Sequence, residues 1–199
     1  MSHSAKLSKM LNRLIACIIL ALAILAPVSS SASLFPDDWD REFQSATDVF
    51  LPVGTDWRLL KSICIQESRL QPLAVSPVGA FGLCQFMPGT AGDVGKAIGE
   101  SPDSFWLPEV SIRAAGYYMG RLHRSWYAER PAMDRFMLAA ASYNAGLGNI
   151  VKAQRLCDGK NLYKEVIPCL PQVTGRHSRE TIGYVKNIIG KWYPMLLFN

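Results

Sequence analysis

The chain has 199 residues, 49% of them hydrophobic, and carries a formal charge of +5. That length and apolar content suit one domain with a buried core and exclude a disordered or low-complexity protein. Three of the positive charges are Lys6, Lys9 and Arg13 near the N-terminus, so the remainder is only about +2 and has no basic stripe for nucleic acid.

Those three residues precede an uninterrupted apolar run, Leu14 to Ala26, which Pro27 ends before the small residues Ser29 to Ser33. This is the layout of a secretory signal over residues 1–32, with Ser30 and Ala32 at the −3 and −1 positions of cleavage. The alternative is an uncleaved anchor, for which the run is short against the ~20 apolar residues that a bilayer requires. Leu14-Ile15-Ala16-Cys17 imitates a lipoprotein cleavage box, but there the apolar run precedes the cysteine, whereas here it follows. The expected location is therefore exported, in the periplasm or cell envelope, with residues 33–199 as the working domain.

The rest of the chain reads as helices with Gly/Pro punctuation, and strand signals are poor. A short amphipathic helix is expected near Asp38 to Phe50, ended by Pro52-Val53-Gly54. Thr55 is the expected cap of a second helix, from Asp56 to about Leu70, which Pro72 stops. A loop from Ala74 to Pro88 follows, with Gly79 and Gly82. Pro108 opens a helix to about Tyr127, with Ala115, Tyr118, Leu122 and Trp126 on one face. Pro131 opens another, apolar on nearly all sides after its first turn and ending at Gly146, which marks it as a central buried helix. A C-terminal helix from Ser178 presents Ile182, Val185, Ile189 and Trp192 as its core stripe. The fold class is mainly α, a single helical domain with a cleft.

Without the leader, four cysteines remain, and an even number in an exported chain points to two disulfides with three possible pairings. Cys157 and Cys169 bracket the polar segment Asp158-Gly159-Lys160-Asn161 and make a natural local clip, which would leave Cys64 with Cys84. Zinc is a weak alternative, because no CxxC occurs and only His123 and His177 remain. Neither metal nor cofactor is expected.

In the second helix Leu60, Ile63, Cys64 and Glu67 stand at i, i+3, i+4 and i+7, so Glu67 falls on the apolar face. Burial raises a carboxyl pKa, and the negative end of the helix dipole acts in the same direction. An acid that keeps its proton near neutral pH is what a glycosidase requires to protonate a leaving oxygen. The structural alternative is a buried glutamate held by an arginine or by backbone groups. Gln85, in the glycine loop, offers a donor and an acceptor to a sugar, and Tyr143-Asn144 ends the most buried helix.

Taken together, Glu67-Ser68, Ser76-Pro77-x-Gly79-Ala80 with Gly82-Leu83-Cys84-Gln85, Ala141-x-Tyr143-Asn144-Ala145-Gly146, and Glu180-Thr181-x-x-Tyr184-Val185 resemble the soluble lytic transglycosylases in order and spacing. The likeness runs from about Asp56 to Trp192. It implies a lysozyme-like fold and, as substrate, the glycan strands of peptidoglycan. The family cleaves between N-acetylmuramic acid and N-acetylglucosamine without water, leaving a 1,6-anhydro ring. By resemblance, Glu67 is the catalytic acid and then base, the substrate's N-acetyl group is the internal nucleophile, and Ser76, Gln85, Tyr143, Asn144 and Tyr184 line the cleft. No Asp or Glu lies between Ser68 and Gly92, so a second carboxylate would come from farther away, for example Asp93 or Asp103.

The chain departs from the family at Cys84, where Met is usual, and at Cys64, where a small hydrophobe is usual. The paired change implies a disulfide between catalytic helix and cleft loop; the alternative is two buried thiols. Two other functions stay open: a muramidase that uses water, and a weakly active wall-binding or assembly protein of a secretion or pilus system. Expected partners are glycan strands and an envelope protein complex, with the chain itself monomeric. Among the aromatics, Tyr118 and Trp126 are expected in the core.

Overall fold

The computed structural model describes residues 35 and 37–198. The expected leader at residues 1–32 lies outside them. Among the described residues the chain is helical, and no helix is long and apolar enough to cross a membrane.

Helix α1 (Asp40–Phe50) comes first, followed by α2 (Trp57–Ser68). Asp56, not Thr55, caps α2, because its carboxylate accepts from the Arg58 backbone N–H at 3.0 Å. The Thr55 hydroxyl instead closes its own turn on the Pro52 carbonyl. Helix α2 ends at Ser68, two residues earlier than expected, since Arg69 and Leu70 both take left-handed φ, 60° and 59°.

The cleft loop follows, pinned by isolated bridges between Val75 and Phe81 and between Phe81 and Phe86. Helix α3 (Pro88–Ile98) was not expected. Its sequence, PGTAGDVGKAI, is too rich in glycine to signal a helix by propensity. Two features form it: Pro88 in the first turn, and burial of Ala91, Val94 and Gly95. A 3₁₀ turn (Pro102–Trp106) leads into α4 (Pro108–Ser125), then α5 (Ala132–Ala145) and the unanticipated α6 (Leu147–Leu156). Short α7 (Tyr163–Val166) and α8 (Leu170–Thr174) precede α9 (Ser178–Asn187). A π turn (Ile188–Trp192) continues α9 into α10 (Tyr193–Leu197).

The core is built around α2 and α5 together. Leu59 to Ile65 are all buried in α2, and Leu138 to Ser142 are fully buried in α5. Lys61, 2% exposed in α2, is tolerated because its ammonium pairs with Asp40 of α1. Helix α1 approaches α4 through glycines, since a Cβ on Gly116 would lie 2.9 Å from Ala46 Cβ and one on Gly120 2.2 Å from the Phe50 carbonyl oxygen.

On α9 the buried stripe is Thr181, Tyr184, Val185, Ile188 and Trp192. Val185 and Trp192 are buried as expected, but Ile182 and Ile189 are only half-buried, so the buried face is turned from the purely apolar one toward Thr181 and Tyr184. Tyr184 and Thr181 are drawn inward because polar partners wait for them there. Trp126 is buried as expected, with its indole N–H donating to Ser142 Oγ at 3.1 Å, whereas Tyr118 is half-buried.

Cys64 is joined to Cys84 and Cys157 to Cys169, with Cα–Cα separations of 4.4 and 5.9 Å. The first bridge ties α2, one turn before Glu67, to the cleft loop.

Candidate functional site

Glu67 sits in the last turn of α2, beside Leu60, Ile63 and Cys64, each 0% exposed. Its carboxyl is pushed up to about 7 from an ordinary 4.5. Desolvation is the main cause; a hydrogen bond from Tyr184 opposes it, and the charge of Glu180 adds to it. Tyr184 reaches across from α9 and donates its hydroxyl to Glu67 Oε1 at 2.6 Å. Burial beside the same carboxylate holds the Tyr184 phenol well above its usual range, so it stays a donor at any physiological pH.

Tyr143, near the C-terminus of α5, donates its hydroxyl to the Cys84 carbonyl at 2.9 Å. Its ring stacks edge-on against Tyr118, with centroids 5.2 Å apart. Burial first, then the field of Glu67, hold its phenol protonated, which places it in the same electrostatic environment. Asn144 turns toward α9: its carbonyl accepts from Thr181 Oγ1 at 2.7 Å and its amide donates to Glu180 Oε1 at 3.3 Å.

Gln85 has φ of 52°, and its side-chain amide donates to the carbonyls of Ala74 (3.0 Å) and Gly82 (2.8 Å). It therefore braces the loop with both of its amide donors. Ser76 lies at the far end of the loop, where its hydroxyl accepts from Ala80 N at 3.0 Å and closes the turn. Among the described residues no hydrogen bond links it to the others. Left-handed φ at the non-glycine residues Arg69, Leu70 and Gln85 concentrates backbone strain around Glu67 and the loop, roughly 1–3 kcal/mol each.

The fold thus brings Glu67, Tyr184, Tyr143, Asn144 and, through Cys84, Gln85 around one place. Sequence reasoning missed the role of two residues, Glu180 and Thr181. Glu180 is the carboxylate whose charge reaches Glu67; Asp93 and Asp103 are exposed on the surface instead. The motif Glu180-Thr181-x-x-Tyr184-Val185 marked the segment, but an acidic residue in a helix's first turn reads as a partner of the helix dipole, so its charge on Glu67 was not legible. Next to these residues lies a cleft of about 400 Å³ lined by Asn144, Ala145, Asn149, His177, Glu180 and Thr181 among others.

Residues 52–165 match the profile of the family described as the transglycosylase SLT domain. The chain belongs to the transglycosylase SLT family. The family match covers α2, the cleft loop and α5, and ends before α9, which carries Glu180 and Tyr184. The membrane-bound lytic murein transglycosylase F of Marinobacter nauticus is 35% identical over 159 residues, 72% of this chain and 30% of its own length. Its namesake from Yersinia enterocolitica is 37% identical over 131 residues, 61% of this chain and 26% of its own. Among solved structures, the 70-kDa soluble lytic transglycosylase of Escherichia coli superposes with a TM-score of 0.65 at 27% identity. That alignment covers 82% of this chain and 25% of the other, and the same protein is known in complex with bulgecin A. An inactive mutant of Pseudomonas aeruginosa Slt gives a TM-score of 0.64 at 28% identity over the same share of each chain. This SLT chain therefore spans between a quarter and a third of the length of these relatives, and it has their lysozyme-like helical fold.

Proposed function

We propose that this chain is a peptidoglycan lytic transglycosylase of the periplasm or cell envelope, with Glu67 as its single acid/base. The observation that carries the proposal is the buried Glu67 carboxyl, raised to about 7 and gripped by the Tyr184 hydroxyl in an SLT fold. Near neutral pH such a group exists in both protonation states, as a residue that first gives and then takes a proton requires.

In the first step Glu67 donates its proton to the glycosidic oxygen, and the N-acetylglucosamine leaving group departs with it. The carbonyl oxygen of the muramyl N-acetyl group forms the new bond to C1, giving an oxazolinium ion. In the second step the C6 hydroxyl of the same sugar attacks C1, the oxazolinium ring reopens, and the Glu67 carboxylate accepts the hydroxyl proton. The product is a 1,6-anhydro ring and the acid is regenerated, with no water consumed. In this reading Tyr184 stabilises the carboxylate between the two steps, and Tyr143, Asn144 and Gln85 orient the N-acetyl sugar. That an inactive form of the Pseudomonas aeruginosa relative carries glutamine in place of one glutamate supports assigning the chemistry to a single glutamate.

The hydrolytic reading would need a second carboxylate to activate water, and Glu180 is the one available. Its oxygen already accepts from Asn144, which favours a positioning role. Mass spectrometry of products from purified sacculi, comparing the chain with its Glu67→Gln variant, separates the readings. Anhydro-muropeptides from the wild type alone support the proposal. Reducing muramic ends would make the protein a muramidase, and no product from either would make it a wall-binding or assembly protein.

A further inference from the structure

A second pocket lies away from Glu67. It has a volume of about 340 Å³ and is lined by Pro52, Val53, Leu59, Met133 and Phe136, with His123 and Arg135 among its polar walls. None of the residues assigned above to the cleft takes part in it. Leu59 stands eight residues before Glu67 on α2, about 12 Å along the helix. The pocket thus occupies the N-terminal ends of α2 and α5, whose C-terminal ends carry Glu67 and Tyr143.

Its polar groups are poorly satisfied by the protein. His123, 9% exposed, makes no side-chain hydrogen bond among the described residues and opens onto the cavity. Burial and the charges of Arg135 and Arg124 hold its imidazole down to about 4, so it is neutral. Arg135 donates one N–H to the Ala128 carbonyl at 3.2 Å, its Nε is buried without an acceptor, and no ion pair joins it to a carboxylate among the described residues. The first turn of α5, from Ala132, has no side-chain cap. Ala132 and Met133 of that turn line the same pocket, which brings the positive end of the helix dipole to its wall. The nearby acids are already engaged. Asp56 is held by the Arg58 guanidinium and the Tyr193 hydroxyl, and Asp134 accepts from the Tyr163 backbone N–H.

An apolar cavity with an unpaired guanidinium, an unbonded imidazole and an uncapped helix start is complementary to one ligand chemistry. We propose that this pocket is a non-catalytic binding site for a carboxylate carried on a small apolar body, as at the C-terminus of a peptide. The carboxylate would pair with Arg135 and the first turn of α5, and the apolar part would pack on Val53, Leu59, Met133 and Phe136. The inference is independent of the reading of Glu67.

The probes are N-acetyl-L-leucine, N-acetyl-D-alanyl-D-alanine and, as uncharged control, N-acetyl-L-leucinamide, titrated at millimolar concentration by NMR with the His123 imidazole observed. His123 is faced by Arg124 on its own helix, Arg135 on α5, and Asp56 and Tyr193 across the pocket. A carboxylate entering there should raise the His123 titration midpoint, whereas the leucinamide should not. Arg135→Gln should weaken binding at least tenfold. Ala132→Trp, which adds bulk at an exposed position of the pocket wall, should abolish it with the melting temperature and the sacculus-degrading activity retained. Preference for the D,D-dipeptide identifies wall peptides as the source; preference for the L-residue identifies protein C-termini. No binding, equal binding of the leucinamide, or unchanged binding in both variants would overturn the assignment.

Discussion

The Tyr184 hydroxyl and the Glu67 carboxylate, 117 residues apart in sequence, meet at 2.6 Å. This one hydrogen bond opposes the burial that raises the Glu67 pKa, and Glu180 acts with the burial. The acid is thus tuned by α9, an element outside the helix that carries it.

Removing the bond should move the proton affinity of Glu67 upward. Tyr184→Phe deletes a donor to the charged form, so the alkaline limb of the kcat/KM profile for sacculus digestion should shift to higher pH. Glu180→Gln removes a repelling charge, so the same limb should shift to lower pH. Profiles that moved together, or not at all, would contradict the assignment of Glu67 as the titrating acid.

The same shift couples pH to stability. Glu67 binds its proton more tightly folded (about 7) than unfolded (4.5), so its favourable contribution is complete below pH 4.5 and is lost as pH rises through 7. Integrated over that window, the loss is up to about 3 kcal/mol. The Glu67→Gln variant should escape it. Melting temperatures of the two proteins should therefore diverge between pH 4.5 and 7, with the variant the more stable at pH 8.

The Cys64–Cys84 bridge closes a loop of 20 residues between the helix of Glu67 and the loop of Gln85. Replacing both cysteines, as Cys64→Ala with Cys84→Met, should lower stability by about 3 kcal/mol in the chain-entropy account, or roughly 6–12 °C in Tm. Because Cys84 also holds the Tyr143 hydroxyl through its carbonyl, kcat should fall well below the melting temperature. Differential scanning calorimetry and a turnover assay at 25 °C check the two parts separately. Equal Tm in the variant and the wild type would remove the bridge from the account.

Two helical glycines should respond in opposite directions to alanine. A Cβ at Gly120 would sit 2.2 Å from the Phe50 carbonyl oxygen, so Gly120→Ala should destabilise by about 1–3 kcal/mol as α1 is pushed off α4. Gly92, within α3, has nothing within 4 Å of the added methyl, so Gly92→Ala should stabilise by about 0.5–1 kcal/mol. Urea denaturation midpoints of the two variants read both signs directly.

What the sequence by itself determined rests on local signals. The helix periods, the Pro and Gly boundaries at Pro108, Pro131 and Gly146, the apolar placement of Glu67 and the likeness of four motifs required only neighbours in the chain. Glycine-rich α3 escaped because burial outweighs its poor intrinsic propensity. The stripe on α9 is legible at Val185 and Trp192 only, because apolar periodicity counts Ile182 and Ile189 but not Thr181 and Tyr184, which are buried against polar partners. Only the tertiary structure decided that Glu180 presses on Glu67, that Tyr184 relieves it, and that Gln85 braces the loop with its amide. Each depends on distance between groups far apart in sequence, and pKa follows from distance and desolvation, neither of which residue order encodes locally.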